Sequence, residues 1–139
     1  MERDLDKKIA HLTFIQGVIN RMGNNSFLLK GWCVTLVAAI FALSSKDSNS
    51  SFILIAYIPA FMFWLLDAFF LHQEKLYRTL YKMVANEQIS SEQFSLDTSI
   101  ARAVTPNILS VFISKTIFPF YGILIGIIIL AAMLLEAYS

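Results

Sequence analysis

Two charged side chains stand where charge is expensive. Asp67 lies inside an otherwise apolar stretch, 48–71, and Lys30 interrupts another, 27–45. An ionised carboxylate in hydrocarbon needs a partner or water. Asp67 therefore has two readings: one half of an intramembrane ion pair with Lys30, which enters at the same membrane face, or the inner mouth of a pore that attracts cations. A second pattern is one of small side chains. Gly31, Thr35, Ala38, Ala42 and Ser45 recur at three- and four-residue steps and share one seam of a helix. Such a seam lets helices approach closely where lipid is as oily as they are. In an oligomer, copies of the same seam with its two hydroxyls could instead surround a narrow pore. Gly122 and Gly126 form a GxxxG pair, assigned to packing against a neighbouring helix of the chain or of another subunit.

Other chemistry is sparse. His11 and His72 are isolated, with no ligand at metal spacing on a shared face, so neither a metal nor a cofactor is expected. Cys33 is the single cysteine and serves as a small apolar side chain. No nucleophile is accompanied by a base and an orienting group, and no glycine-rich phosphate loop is present. An enzyme is not expected, because a membrane enzyme would need polar residues clustered at one depth and Asp67 alone does not supply that. Tyr77 and Tyr81 are expected to touch a neighbouring helix.

The elements that must position these residues follow from composition. The 139 residues are 57% apolar and only 15% charged, with a mean hydropathy of +0.63. A water-facing surface needs about 25% charged residues, so the chain reads as a membrane protein. A net charge of +1 argues against a basic face for nucleic acid, and no direct nucleic-acid binding is expected. Hydrocarbon about 30 Å thick takes about 20 apolar residues of helix. Three stretches qualify: 27–45, if Lys30 snorkels to the headgroups, then 48–71, then 116–135. Of the eleven cations, only Lys46 falls between the first two spans. Arg3, Lys7, Lys8, Arg21 and Lys30 precede the first or stand at its start, and Lys75, Arg78, Lys82, Arg102 and Lys115 lie between the second and third. Cations are retained on the cytoplasmic side. The expected topology has the N-terminus inside, the serine-rich loop 44–51 outside, a cytoplasmic segment 72–115 and the C-terminus outside.

The polar residues ahead of the first span do not form a signal peptide, so that span is read as retained. In 1–26 the apolar residues Leu5, Ile9, Leu12, Ile15, Ile19 and Met22, widened by Phe14 and Val18, mark an amphipathic helix. It either packs on the cytoplasmic segment or lies in the headgroup plane, and a gating role is a third use. Gly23 reads as its C-cap, with Asn24, Asn25 and Ser26 capping the span that follows. The second span should run on as a helix through Leu76, Tyr77, Leu80, Tyr81 and Val84, with a Glu74–Arg78 pair, and end in the polar stretch 90–99. Asp97 should cap a short turn and Thr105-Pro106 should open a helix whose Ile108, Leu109, Phe112 and Ile113 bury one face. Pro119 should begin or kink the third span. The glycosylation-type triplets at Asn24 and Asn49 carry no weight.

The stretches FIQGVINRMGNNSFLLKGWCVTLVAAIFAL (14–43) and YIPAFMFWLLDAFFLHQEKLYRTLY (57–81) resemble a widespread family of small bacterial membrane proteins, several of which belong to anti-phage defence loci. The closest type is the membrane effector of Hailong systems. That resemblance implies a homo-oligomeric channel in the inner membrane, held closed by a cytoplasmic nucleotidyltransferase or its nucleic-acid product and opened on infection to depolarise the cell. No site residue carries over from it. The SLATT-type effectors are similar in size and role, but they are two-span proteins and a third span counts against them. The expectation is thus an all-α membrane protein with three transmembrane helices, an N-terminal amphipathic helix and a helical cytoplasmic segment. Three spans cannot enclose a pore alone, so four or more copies are expected. The rival expectation is a membrane anchor or scaffold for a cytoplasmic protein.

Overall fold

Between residues 1 and 47 there is no proline, and the three glycines are isolated among good helix formers. In the computed structural model they form one helix, α1 (Glu2–Asp47), with Glu2 and Asp4 in its first turn where the helix dipole favours acids. The structure describes the backbone of residues 1–47 and 51–138, and their side chains except 45–47, 51–52, 135 and 138. Ser45 of the small-residue seam, residues 45–51 of the serine-rich loop and the Asn49 triplet therefore lie outside the described side chains. The expected break at Gly23 is absent, since α1 runs straight through it and no glycine has a positive φ. Without a left-handed residue to turn the chain, the backbone ladder simply continues. Residues 2–26 and 27–45 belong to one uninterrupted helix. Its 46 residues at about 1.5 Å each exceed twice the thickness of a hydrocarbon core, so only part of it could be immersed.

The apolar stretch is interrupted once between residues 51 and 71. Helix α2 (Ser51–Ile55) ends in a turn at Ala56, and α3 (Tyr57–Ala85) follows at once. Pro59 is the cause: it has no N–H for the Ile55 carbonyl and its ring crowds that carbonyl. Ala56 N donates to Ile53 at 3.0 Å in a tighter turn instead. Beyond Leu71, α3 continues as a helix and stops at Ala85, ahead of the polar stretch expected to end it. Glu87 adopts a left-handed conformation with φ of 62°. Its N–H donates to Val84 and that of Gln88 to Met83 at 2.9 Å, which is the pair of bonds of a Schellman ending.

Three further helices follow: α4 (Ser99–Arg102), α5 (Ile108–Phe112) and α6 (Phe118–Tyr138). Asp97 accepts the Ser99 N–H at 2.9 Å ahead of α4. Thr105-Pro106 does not open α5. Asn107 does, its Oδ1 accepting the Ser110 N–H at 2.9 Å, whereas the Thr105 hydroxyl donates back to Ala101 at 2.8 Å. Pro119 sits in the first turn of α6, where its missing N–H costs nothing. The chain is all-helical at 80% helix, with no strand among the described residues.

Two compact units emerge, each formed from parts of α1 and α3. The first comprises 1–25 and 69–111. Its core is Ile15, Ile19, Leu80, Val84 and Ala101, on which Leu12, Tyr77, Tyr81 and Ile89 pack. Of the amphipathic stripe, Ile15, Val18 and Ile19 are buried while Leu5, Ile9 and Phe14 stay exposed. The second unit comprises 26–68 and 112–139, and it buries Cys33, Val37, Ile53, Ala60, Tyr121 and Ile128. Two helical stretches, Glu2–Ser44 and Ile53–Ala85, are long and apolar enough to cross a membrane, and Phe118–Leu134 is a shorter apolar helix. Only 17% and 28% of the most apolar windows of the first two are buried inside the chain. A core helix of a water-soluble protein would be mostly covered, so this much exposed apolar surface is compatible with insertion into a membrane.

Candidate functional site

In the second unit, Ser26 and Lys30 lie four residues apart on α1 and therefore on one face. The structure places both against Asp67 of α3, whose side chain is 0% exposed. Lys30 Nζ is 2.5 Å from Asp67 Oδ2, and the Ser26 hydroxyl donates to Oδ1. Lys30 Nζ also donates to Ser26 Oγ at 3.0 Å, which closes a three-membered ring of polar contacts. One positive and one negative charge cancel, leaving a neutral polar layer. Burying such a pair is favourable only where further hydrogen bonds satisfy both partners, and Ser26 supplies one to each.

Aromatic side chains wall this layer. Lys30 Nζ stands 6.0 Å from the centre of the Phe120 ring, within range of its electron-rich face. Tyr121 is fully buried, and its hydroxyl donates to the Phe63 carbonyl at 3.2 Å. Trp64, about one helical turn from Asp67, is sandwiched between two rings. It stacks on Phe112 at 4.3 Å with 9° between planes and on Tyr121 at 5.7 Å with 4°. Its indole N–H donates to the Phe112 carbonyl at 3.0 Å. Ser26 and Lys30 have the spacing of a serine–lysine dyad, and the polar groups of both are engaged by Asp67.

The seam lies on the other side of α1. At 100° per residue, Gly31, Thr35, Ala38 and Ala42 face nearly opposite to Ser26, Lys30, Cys33, Val37 and Ser44, and all four are exposed. Nothing lies within 4 Å of where a Cβ on Gly31 would sit, and the Thr35 hydroxyl donates back to the Gly31 carbonyl at 2.9 Å. A shallow groove here is lined by Phe27, Leu28, Gly31, Trp32 and Thr35. Gly122 and Gly126 are likewise exposed and open, so the expectation that this pair packs on a helix of the same chain is corrected.

Sequence reasoning missed several of these residues. Ser26 was expected to cap a helix and instead bonds the carboxylate, and its four-residue spacing from Lys30 was the available signal. Trp64 and Tyr121 had no local pattern to announce them, and Phe112, expected to bury a face, is half-buried and stacked on Trp64. In the first unit His11 is fully buried, with Nε2 2.8 Å from the Ser95 carbonyl and Nδ1 3.1 Å from Ser91 Oγ. A carbonyl can only accept, so Nε2 carries a proton and the imidazole ties residues 91–95 to α1. His72 is half-buried. Among the described residues no group of three or more His, Cys, Asp or Glu could hold a metal ion. Tyr77 and Tyr81 pack on the core of their unit, and Glu74 pairs with Arg78 at 2.7 Å.

Comparison with protein-family models, curated proteins and solved structures finds no match to this chain.

Proposed function

We propose that the chain is one subunit of an oligomeric ion-conducting effector of the bacterial inner membrane, which permeabilises or depolarises that membrane. The resemblance of 14–43 and 57–81 to small defence-locus membrane proteins adds the setting, anti-phage defence under control of a cytoplasmic nucleotidyltransferase or its nucleic-acid product. In this reading α1 from residue 27, α2 with α3 to residue 71, and α6 are three spans, with the N-terminus cytoplasmic and the C-terminus periplasmic. The 21 residues of α6 give about 31 Å of helix, enough for one crossing. Three helices leave no room for a channel within one chain, so conduction requires copies, four or more, around a common axis.

One observation carries the reading: a face of α1 made of small residues and a hydroxyl is exposed at Gly31, Thr35, Ala38 and Ala42. Copies that bring this face together form a narrow path lined by Thr35 hydroxyls and backbone, with apolar neighbours able to gate it by dewetting. The Lys30–Asp67 layer then acts as a clasp joining α1 to α3 at the cytoplasmic edge. Purified protein in liposomes loaded with a potassium-sensitive dye tests the proposal. Ion flux on activation supports it, and no flux under any activating condition, with or without the partner, removes conduction.

A second reading is a non-conducting anchor or scaffold for a cytoplasmic protein. It is favoured by a groove in the first unit lined by Ile9, Leu12, Thr13, Gln16, Gly17 and Tyr81. Here expression of the chain alone leaves membrane potential and growth unchanged while a pull-down still recovers the partner.

A further inference from the structure

One face of the first unit carries an open groove, built from residues of 1–25 and 69–111 alone. There α1 and α3 run antiparallel, since Lys8 pairs with Glu87 near one end and a Cβ on Gly23 would touch Glu74 near the other. Helices side by side leave a valley between their ridges. This one consists of two adjoining cavities of about 500 and 260 Å³ that share Gln16 and Tyr81. Ile9, Leu12 and Tyr81 give it apolar surface, and Ile9 is 54% exposed. Gly17 lines the larger cavity, and nothing lies within 4 Å of where its Cβ would sit. The polar side chains beside it bond within their own helix: Thr13 donates to the Ile9 carbonyl at 2.8 Å and Gln16 to Asn20 at 2.9 Å.

The same groove carries charge of one sign. Its smaller cavity is lined by Arg78 and Lys82 together with Ile19 and Tyr81. Four residues apart, the two cations share one face of α3. Arg78 is paired with Glu74 at 2.7 Å, which offsets one of them. Lys82 is exposed and makes no ion pair among the described residues. No Asp or Glu lines either cavity.

We propose that this groove docks an acidic amphipathic helix of a cytoplasmic protein, its apolar face on Ile9, Leu12 and Tyr81 and an Asp or Glu against Lys82 and Arg78. A helix laid in an apolar groove is held by anchors at three- and four-residue steps. The 9–20 stretch of α1 is about 17 Å long, room for about three turns. Acids on the partner follow from a groove that is basic at one end and acidic nowhere. A second copy does not supply them: in the same membrane its α1 lies parallel at the same height, and from 7 to 46 the chain contains no Asp or Glu. The proposal rests on the reading that these residues are cytoplasmic, and it applies to a conducting or a non-conducting chain.

The full chain in nanodiscs of zwitterionic lipid tests it, with empty nanodiscs as the blank. The probe is a fluorescein-labelled helical peptide of about four turns with leucine on one face and glutamate beside it, and a second probe has lysine for each glutamate. Anisotropy should show the glutamate probe bound above the blank and in preference to the lysine probe. Arg78→Glu with Lys82→Glu should weaken the glutamate probe about tenfold and reverse the preference. Gly17→Leu, which fills open space, should block both probes with thermal unfolding undiminished. Equal binding of the two probes, or variants that bind as the native chain does, overturns the proposal. In a Cys33→Ala background, Gln16→Cys that cross-links two copies through position 16 assigns the groove to a second copy and overturns it too. The same cysteine separates the proposal from the reading beneath it: a membrane-impermeant maleimide should label it in inverted vesicles and not in right-side-out ones. Labelling in right-side-out vesicles overturns both, whereas the expected labelling without probe preference overturns the groove alone.

Discussion

The two faces of α1 beyond residue 26 are built to opposite rules. The inward face carries Ser26, Lys30, Cys33, Val37 and Ser44, all buried except the half-buried Lys30, and includes a charge paired at 2.5 Å. The outward face carries Gly31, Thr35, Ala38 and Ala42, exposed and small. In a water-soluble protein the charge would face out and the small apolar residues in. Polarity is thus resolved inside the unit, while the small side chains face outward. An ammonium paired inside has no need to reach a lipid headgroup, and a glycine with open space around it loses helix stability without gaining any packing within its own chain.

Substitutions can break this contrast, and the largest effect should come from the inward face. Lys30→Ala strands Asp67 as a buried unpaired charge and should cost about 3–5 kcal/mol, read from unfolding in detergent. Adding Asp67→Leu to a Lys30→Met variant should recover most of that loss, because an apolar pair has nothing to desolvate. Asp67→Asn separates the two roles of the carboxylate: loss of folded protein identifies a clasp, whereas normal assembly with altered ion selectivity identifies a pore mouth.

Next in size is Trp64→Phe, which keeps an aromatic ring but removes the N–H bonded to the Phe112 carbonyl. The orphaned acceptor should cost about 1–3 kcal/mol by the same measurement. On the outward face the sign reverses. Gly31→Ala and Gly122→Ala meet open space and should each stabilise the isolated chain by about 0.5–1 kcal/mol. If copies pack on these positions, the same variants lower the cross-linked oligomer fraction, so stability and assembly move in opposite directions.

The smallest effect is one of pH, and it belongs to the first unit. The Lys8 ammonium, hydrogen-bonded to Glu87 at 2.9 Å, holds that carboxyl below its usual range, and the Ser99 backbone N–H does the same for Asp97. Lowered carboxylate values contribute stability above the ordinary carboxylate range, and this is lost as pH falls through the lowered values. A shallow loss of thermal stability on acidification is expected, and Lys8→Met should remove the Glu87 part of it.

How much was legible in the sequence depended on the kind of signal. Lys30 and Asp67 stood out because a charge in an apolar stretch is rare, and the expected topology put both at one membrane face. The long helices were legible from length and composition alone. Helix ends were not. Gly23 and Asn24 have cap chemistry, yet no left-handed turn was required there, while Glu87, with no cap preference, took the left-handed position that ends α3. Pro59 carried a readable signal for the break at Ala56. The exposure of Ile108 and Leu109 was not readable, and neither was the bond from Trp64 to the Phe112 carbonyl, 48 residues away in sequence.

Whether the outward face of α1 borders a water-filled path between copies can be measured directly. In a Cys33→Ala background, Thr35→Cys, Ala38→Cys and Val37→Cys proteins are reconstituted in liposomes, and flux is followed while a charged methanethiosulfonate reagent is added. The account predicts that modification at 35 and 38 blocks flux and that 37, on the buried face, is untouched. Flux that persists after full modification at 35 and 38 would contradict it.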